Sequence, residues 1–229
     1  MLSCSPVNRV NVVELVRSGY SEMLQAQRQL VDFRNKGGID DTIIFTEHNP
    51  VYTAGINTPV EESGPPGHDW IRVERGGEWT YHGPGQLVIY FILNLKELGI
   101  NVRDLIIKAG KSVELLLAGY GIHSELKLGK ETGTWVEERK ICSYGFAIRE
   151  FSTFHGMAIN IGTDLGMFNL IRPCGFDPEV MTSVKRETGL DISLQDAAVT
   201  AEDYIIGQLG YASRKRISME SLMETLETQ

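Results

Sequence analysis

Apolar residues in two parts of the chain recur every three or four positions, which is the spacing of one face of a helix. The first part covers residues 20–38, where two adjacent glycines predict the end of the helix. In the second part Asn101 can cap the helix, with Asp104 in its first turn, and glycines from Gly119 onward predict its end. We therefore expect two amphipathic helices in the first half of the chain.

Short runs rich in valine, isoleucine and aromatic residues surround these helices and are typical of strands. We predict strands in RVNVVELV, TIIFTEH, WIRVERGG, QLVIYFILNL, GTWVEE, ICSYGFAI and FHGMAINI. The last three follow one another between residues 133 and 161, as successive hairpin strands do. Because the chain mixes such hairpin-like runs of strands with helices between other strands, we expect an α+β fold with helices packed on a mixed, mainly antiparallel sheet.

The end of the chain differs from the rest, because two helical patterns follow each other there. Thr200 can cap a helix that runs to about Leu209, and SMESLMETLE predicts a final amphipathic helix. No proline- or serine-rich linker divides the first 190 residues. We expect residues 1–190 to form one domain and residues 191–229 to be a C-terminal helical extension of the same domain.

Composition and charge exclude several classes of function. The 229 residues are 42% apolar and carry a net charge of −8, which disfavours binding to nucleic acid or to a membrane surface. The longest apolar stretch is too short to span a bilayer, and the N-terminus lacks a secretory pattern. The cysteines Cys4, Cys142 and Cys174 are odd in number and match no zinc spacing. We expect a soluble cytoplasmic protein without disulfides, bound metal, nucleic-acid partner or membrane partner.

The first segment that could carry chemistry is RGGEWTYHGPGQLVIY, residues 75–90. Its glycines surround Arg75, Tyr81 and His82, and glycine lets a ligand approach the backbone closely. No Lys-Ser/Thr pair follows, as in a phosphate-binding loop, and the next element is a strand, unlike in a dinucleotide fingerprint. Two plain turns between strands are the alternative interpretation.

Two later segments contain a lysine, a histidine and a cysteine of interest. Lys140 begins an otherwise apolar strand, where a solvated edge charge is the alternative, and His155 suits a structural role as well as a catalytic one. In IRPCGF, Cys174 stands between proline and glycine, a setting that displays a thiol, although a plain proline turn looks similar. Free backbone N–H groups after this cysteine could form an oxyanion hole. Cys142 is expected in the core, and Cys4 is expected to have no role.

These segments, in this order, resemble the lipoyl(octanoyl) transferases, the octanoyltransferases of protein lipoylation. The matching text is RGGEWTYHGPGQLVIY, KICSYGFAI, FHGMAINI with DLGMF, and RPCGF followed by MTSV, with a weaker match in EHNPVYTAG. The likeness extends to about Leu190 and implies that residues 1–190 are the catalytic domain. It also implies the fold of biotin and lipoate protein ligases, an α/β sandwich around a mixed sheet. Two departures are Thr134, where an apolar residue is common, and Phe91, where proline is frequent.

The resemblance implies an acyltransferase without a cofactor. Its octanoyl donor would be acyl carrier protein, and its acceptors would be lysines of lipoyl domains, in 2-oxoacid dehydrogenases and in the glycine cleavage H protein. Matched by motif, Cys174 carries the acyl group and Lys140 is its catalytic partner. The residues that correspond to the family's contacts with the acyl substrate are Arg75, Gly76, Gly77, Glu78, Trp79, Thr80, Tyr81, His82, Ser143, Tyr144, Gly145, Gly156, Met157 and Ala158.

Such a reaction also needs an apolar slot for the acyl chain and a surface for its partners. The candidates for the slot are Tyr81, Ile148, Phe154 and Met157. Because both protein partners tend to be acidic, a local basic surface is expected, with Arg72, Arg149, Lys185 and Arg186 as candidates.

The cysteine and the lysine have a chemical rationale. Exchange between two thioesters is close to thermoneutral and amide formation is downhill, so the transfer requires no ATP. A nearby ammonium on Lys140 favours the thiolate of Cys174. Once neutral, the same lysine could accept a proton from the incoming amine, provided that burial lowers its pKa to roughly 7–8.

Three alternatives stay open. An ATP-dependent lipoate or biotin ligase would share the fold, but RGG has only two adjacent glycines and such ligases need no cysteine here. An octanoyl amidotransferase between lipoyl domains would also use a cysteine. A binding protein that has lost activity would keep the fold without needing Cys174, Lys140 or His82.

Overall fold

The computed structural model of the protein covers residues 9–227, apart from the side chains of Cys174 and Glu227, so Cys4 lies outside the described residues. The strands are β1 (Val10–Glu14), β2 (Thr42–Thr46), β3 (Val51–Ala54), β4 (Trp70–Arg72), β5 (Trp79–His82), β6 (Gln86–Ile92), β7 (Glu125–Lys127), β8 (Gly133–Val136), β9 (Arg139–Arg149), β10 (Ser152–Asn160) and β11 (Arg214–Arg216). The helices are α1 (Tyr20–Asn35), α2 (Leu95–Leu98), α3 (Val102–Gly119), α4 (Val184–Thr188), α5 (Leu194–Leu209) and α6 (Met219–Glu227).

Eight strands form one sheet in the order β11-β1-β2-β6-β10-β9-β8-β7. Every pairing from β2 to β7 is antiparallel, whereas β1 pairs in parallel with both β11 and β2. The central strands β6 and β10 are buried along their whole length, so both faces of the sheet must be covered. The predicted α+β fold with a mixed, mainly antiparallel sheet is confirmed.

Helices cover the two faces of this sheet. On one face Leu116 of α3 and Ile205 of α5 pack in a cluster with Ile89 of β6. On the other face Leu30 of α1 packs in a cluster with Val88 of β6, and α6 belongs to the same cluster. Because neighbouring residues of a strand point to opposite faces, Val88 and Ile89 serve the two clusters separately.

A second, three-stranded sheet carries the glycine-rich segment. Its order is β4-β3-β5, with β3 parallel to β4 and antiparallel to β5. A third cluster forms on this sheet from Tyr52, Trp79, Tyr81, Phe168 and Ile171. This cluster joins the small sheet to the segment that precedes Cys174.

The helix boundaries agree with the sequence in one case and correct it in another. Asn101 and Asp104 form a reciprocal capping box at the start of α3, as predicted. The prediction that Thr200 caps a helix is wrong, because α5 begins at Leu194 with Ser193 as its cap. The Thr200 hydroxyl lies inside the helix and donates to the carbonyl oxygen of Asp196 at 2.9 Å.

Several short elements were not expected from the sequence. The strand predicted in QLVIYFILNL ends at Ile92, because the Asn94 side chain caps the short helix α2. The strands β3, β7 and β11 have only three or four residues each. The edge strand β11 is entirely basic and exposed, so it shows no apolar alternation.

The end of the chain packs against the rest of the protein. The edge strand β11 pairs with β1, and α5 packs against α3. Arg216 of β11 forms ion pairs with Glu14 of β1 and with Glu202 of α5. The division at residue 190 stays a prediction. Among the helices of residues 9–227, none combines the length and the apolar character needed to cross a membrane.

Candidate active site

Cys174 lies in a single 3₁₀ turn, Pro173–Gly175, which contacts β5. Gly175 has a φ of +78°, a conformation that glycine adopts without strain. The backbone N–H groups of Gly175 and Phe176 both donate to carbonyl oxygens of the turn at 3.1 Å. The expectation of free N–H donors for an oxyanion hole directly after the cysteine is therefore wrong.

A β-bulge decides which way Lys140 points. Thr134 of β8 pairs with Cys142, but the next residue, Trp135, pairs with Lys140, so Ile141 is an extra residue in β9. Ile141 and Cys142 both pack into the core cluster beneath α3. In a regular strand Lys140 would share the face of Cys142 and enter that core. The bulge places the lysine on the opposite face of the sheet.

The Lys140 side chain is 3% exposed and lies across Gly133. A Cβ atom on Gly133 would be 2.4 Å from Lys140 Cε and 3.1 Å from Nζ. Because Gly133 pairs with Ser143, the ammonium lies beside this rung of the β8–β9 ladder. The Nζ atom is 5.7 Å from the centroid of the Trp135 ring and 5.9 Å from that of Phe176, within the range of cation–π attraction.

Two contacts hold the segment around Cys174 beside Lys140. The Lys140 carbonyl oxygen accepts a hydrogen bond from the Thr182 N–H at 2.9 Å. Phe176, two residues after Cys174, packs edge-on against Trp135, with 5.6 Å between the ring centroids. The structure thus places the buried lysine and the turn that bears the cysteine in one region.

A narrow, buried cavity lies between the glycine-rich segment, β9, β10 and α1. Of the fourteen residues predicted to contact the acyl substrate, ten line it: Arg75, Gly76, Thr80, His82, Ser143, Tyr144, Gly145, Gly156, Met157 and Ala158. Four further lining residues were not among them: Tyr20, Val88, Tyr90 and His155. Alternation along β6 relates Val88 to Tyr90, so this face could have been found from the sequence. Tyr20 shares the apolar face of α1 with core residues and carried no separate signal.

The other four predicted contacts lie elsewhere. Trp79 and Tyr81 alternate with Thr80 and His82 along β5, so their side chains join the third cluster. Gly77 and Glu78 also lie outside the cavity lining, and the Gly77 carbonyl accepts a hydrogen bond from the loop after β3. A contiguous motif therefore does not become a contiguous binding surface when it forms a strand.

His82 is a buried, neutral histidine beside the cavity. Its Nδ1 lies 2.7 Å from Gln86 Oε1, and the Gln86 amide nitrogen donates to Asn160 Oδ1 at 2.9 Å. The Gln86 oxygen must then accept from His82, which places the imidazole proton on Nδ1. Burial lowers the pKa of His82 to about 3, and its ring stacks on Tyr20 with 5.5 Å between centroids.

The hydroxyl groups of two cavity tyrosines are bonded to residues outside the lining. His48 donates from Nδ1 to the Ser18 carbonyl, and its Nε2 accepts from the Tyr90 hydroxyl at 2.6 Å. Burial lowers the pKa of His48 to about 4. The Tyr144 hydroxyl pairs with Thr134 Oγ1 at 2.7 Å, a bond that an apolar residue at position 134 could not make. These tyrosines therefore offer the cavity their apolar rings.

Arg75 lines the cavity, and its guanidinium is bonded to β3. Its guanidinium donates from Nη2 to the Thr53 carbonyl at 2.7 Å and from Nε to the Thr53 hydroxyl at 3.1 Å. A Cβ atom on Gly145 would lie 3.0 Å from Arg75 Cδ. Glycine at position 145 thus permits this close approach.

A broad, open groove borders the turn that bears Cys174. Glu78 and Trp79, which do not line the buried cavity, line this groove instead. The Trp79 indole donates to the Glu62 carboxylate at 2.9 Å. A Cβ atom on Gly175 would lie 3.4 Å from a Glu78 carboxylate oxygen. The groove therefore presents carboxylates next to the cysteine turn.

The second cysteine and the four residues proposed for the acyl slot lie in different parts of the structure. Cys142 is fully buried in the core, as expected, and burial raises the pKa of its thiol to about 12. Of the candidates for the acyl slot, Met157 lines the cavity, whereas Phe154 packs between the sheet and α1. Ile148 is exposed, and Tyr81 belongs to the third cluster.

The four basic residues expected at a docking surface all form bonds within the chain. Arg149 pairs with Asp32 and Lys185 pairs with Asp191. Arg72 and Arg186 donate to backbone carbonyl oxygens. A basic docking surface stays a prediction.

The chain matches the family model of the lipoyl protein ligase A/B catalytic domain over residues 19–205. It is 56% identical over 170 residues to the probable octanoyltransferase 2 of Picrophilus torridus, covering 74% of this chain and 67% of that protein. It is 35% identical over 212 residues to the octanoyltransferase of Dictyoglomus thermophilum, covering 90% and 89%. For the octanoyltransferase of Stutzerimonas stutzeri the identity is 37% over 210 residues, covering 91% and 94%.

Solved structures share the fold at low sequence identity. A lipoate-protein ligase A bound with ATP superposes with a TM-score of 0.73 at 17% identity, covering 97% of this chain and 95% of that one. The bi-partite lipoate protein ligase from Thermoplasma acidophilum superposes with a TM-score of 0.66 at 17% identity, covering 97% of this chain and 92% of that one. The biotin protein ligase from Aquifex aeolicus superposes with a TM-score of 0.52 at 16% identity, covering 87% of this chain and 68% of that one. The ligase-like fold expected from the resemblance is confirmed.

Proposed function

Because the chain belongs to the lipoyl protein ligase A/B catalytic domain family and is an acyltransferase, we propose that it transfers an octanoyl group through a thioester on Cys174. The donor is octanoyl-acyl carrier protein, and the acceptor is a lysine of a lipoyl domain. The observation that carries the proposal is the buried Lys140, held across Gly133 beside the turn that bears Cys174.

In the first step the Cys174 thiolate attacks the carbonyl carbon of the donor thioester. The bond between this carbon and the carrier's sulfur breaks, and a new thioester forms on Cys174. The leaving thiolate takes a proton from the Lys140 ammonium and departs as a thiol. Aromatic rings on Trp135 and Phe176 attract the ammonium, while the ammonium favours the reactive thiolate.

In the second step the acceptor lysine loses one proton to solvent, and its neutral amine attacks the thioester carbonyl. The carbon–sulfur bond to Cys174 breaks, an amide forms, and the cysteine leaves as a thiolate. The proton lost by the attacking nitrogen passes to Lys140, which has been neutral since the first step. Lysine thus acts as acid and then as base, and the cycle ends in the state in which it began.

The two spaces beside the turn serve different groups in this proposal. The buried cavity takes the fatty chain, since the rings of Tyr90 and Tyr144 offer it apolar walls and the glycines beside them leave room for it. The open groove admits the donor's arm and the acceptor lysine, whose cation is attracted by carboxylates such as Glu78. A cytoplasmic location, predicted from the sequence, would keep the thiol reduced and stays a prediction.

The first test measures the thioester. Octanoyl-acyl carrier protein should add one octanoyl mass to the peptide that contains Cys174, and Cys174→Ala should abolish both label and transfer. Cys142→Ala is the matched control, because this thiol is buried in the core and its variant should keep the label. Label on Cys142, or turnover of an active preparation without any label, would contradict the proposal.

The alternative functions differ in the acyl donor that each would use, so the donor that labels Cys174 fastest distinguishes them. Labelling by octanoate plus ATP, without a thioester, would favour a ligase. Faster labelling by an octanoylated lipoyl domain than by octanoyl-acyl carrier protein would favour an amidotransferase. The proposed function requires acyl carrier protein to be the better donor.

The second test addresses Lys140. Lys140→Met should slow acylation and raise the pH at which Cys174 is alkylated by roughly one unit or more. Lys140→Arg keeps the charge but cannot accept a proton, so it should lose transfer to the acceptor more than alkylation. Lys127→Met is the control, since Lys127 Nζ lies 4.9 Å from the same Trp135 ring. An unchanged alkylation profile in Lys140→Met would reject the role.

A further inference from the structure

His155 has an unusual backbone conformation at one end of the buried cavity. Its φ is +58° within strand β10, a region that residues other than glycine rarely adopt. Strand alternation would turn the side chain to the α3 side with Met157. Instead the imidazole lies against the Phe154 ring, with 4.8 Å between centroids, on the side of α1. The backbone N–H of His155 donates to the Gln27 side-chain oxygen of α1 at 2.7 Å.

Several polar side-chain atoms on and around His155 are not satisfied within residues 9–227. Both imidazole nitrogens of His155 are buried without a hydrogen-bond partner there, as are Gln27 Nε2 and Glu74 Oε2. The closest approach, from His155 Nε2 to Glu74 Oε2, is 3.8 Å, longer than a hydrogen bond. Burial lowers the pKa of His155, so the ring is neutral near pH 7. Buried polar atoms without partners mark a place where water or a ligand belongs.

The opposite end of the cavity lies nearest the proposed chemistry. Lys140 lies across Gly133, which pairs with Ser143, and Ser143 in turn pairs with Ala158 at the cavity. His155 lies three residues from Ala158 along β10, which corresponds to about 10 Å. An octanoyl chain has seven carbon–carbon bonds of about 1.5 Å, and its zigzag spans roughly 9 Å.

We propose that His155 forms the end wall of the acyl site and sets its preference for chains of about eight carbons. This inference rests on the proposed function, because it takes the thioester carbonyl to lie beside Lys140. An eight-carbon chain then runs along the paired strands from Ser143 and ends at the imidazole. A longer chain presses methylene groups against unpaired polar atoms, which bond water far better than hydrocarbon. A shorter chain leaves part of the cavity unfilled.

The test is His155→Gly, since glycine adopts this backbone conformation without strain and removes the ring. Six- to twelve-carbon acyl thioesters of N-acetylcysteamine compete for the enzyme, and intact mass reports the acyl group on Cys174. The wild type should favour eight carbons. In the variant, two additional methylenes of a ten-carbon chain can be buried. The ratio of ten-carbon to eight-carbon label on Cys174 should therefore be roughly 15-fold higher than in the wild type. His155→Asn, whose shorter side chain also tolerates this conformation, should shift the ratio less, in the same direction.

The matched control is Glu150→Gly. Glu150 has a φ of +55° in the exposed turn between β9 and β10, so its replacement relieves the same backbone conformation away from the cavity. The control should keep the wild-type ratio. An unchanged ratio in folded His155→Gly, or an equal shift in the control, would overturn the end wall without touching the proposed function.

A second readout needs no thioester. Thermal stabilisation by octanoate should exceed that by decanoate in the wild type, and this order should reverse in His155→Gly. Absence of any label on Cys174 would count against the proposed chemistry alone. The same order of stabilisation in both proteins would count against the end wall alone.

Discussion

Because Gly133 has no side chain, the Lys140 side chain can lie across it. Adding a single methyl group at position 133 therefore tests the proposed role of the lysine. In Gly133→Ala the new Cβ would sit 2.4 Å from Lys140 Cε and 3.0 Å from the Cys142 carbonyl oxygen. The contact with the carbonyl is relieved by a few tenths of an ångström. The contact with Cε is not, because carbon atoms pack at about 3.5–4.0 Å. The flexible lysine side chain therefore retreats by about 1 Å or more.

The expected cost is kinetic. A misplacement of about 1 Å can lower the rate of a well-oriented reaction by roughly 100-fold, which corresponds to about 2.7 kcal/mol in the activation free energy. Acylation and transfer to the acceptor should both slow, because Lys140 takes part in both steps of the proposal. The pH at which Cys174 is alkylated should rise as the ammonium moves away.

Rapid-quench acylation followed by intact mass measures this effect, with alkylation of Cys174 against pH as the second readout. Gly207→Ala is the control, because a Cβ atom at that helical position would meet nothing within 4 Å. It should leave both measurements unchanged. If Gly133→Ala folds and acylates at the wild-type rate with an unchanged alkylation profile, the position of Lys140 does not matter and the reasoning fails.

Two further predictions concern stability. Burial keeps the pKa of His82 at about 3 and that of His48 at about 4, below the unfolded value near 6.5. The unfolded chain therefore binds protons first, and each histidine contributes stability that is complete above about pH 6.5 and lost as the pH falls toward the folded value. In urea unfolding, the free energy of unfolding should fall by about 2 kcal/mol per histidine between pH 7 and pH 5. This fall should be smaller in His82→Gln, whereas the control His123→Gln, at an exposed position, should show the wild-type fall. Equal stability of the wild type at both pH values would contradict the prediction. Thr134→Val should lower the free energy of unfolding by about 1–2 kcal/mol by leaving the Tyr144 hydroxyl unpaired, and adding Tyr144→Phe should recover most of it. A wild-type urea midpoint for the single variant would show that the bond contributes nothing.

The main elements of the fold followed from local patterns. The capping box of α3 needs only Asn101 and Asp104, three positions apart in the chain, and it forms as predicted. The long strand β6 is buried throughout and apolar from Leu87 to Ile92, because helices cover both faces of the sheet. Thr200 was a misleading signal, since a threonine inside a helix can bond the preceding turn as readily as it can cap a new one.

The candidate site was predictable as a set of segments but not as a set of side chains. The motif carried Trp79 and Tyr81 along with Thr80 and His82, although strand alternation sends them to opposite sides. Tyr20 looked like any other apolar residue of α1. Its place beside the cavity depends on how that helix packs on β10, which no local pattern records.

The sequence by itself determined the two long helices α1 and α3, most of the strands, the class of fold and the three segments that carry the candidate site, because capping, alternation and ordered motifs are local properties of the chain. Tertiary structure alone decided which way the decisive side chains point. The bulge at Ile141 turns Lys140 out of the core, and the left-handed conformation of His155 turns its ring toward Glu74. Both depend on contacts with distant strands and helices, whose energies outweigh the local preference of the residues themselves.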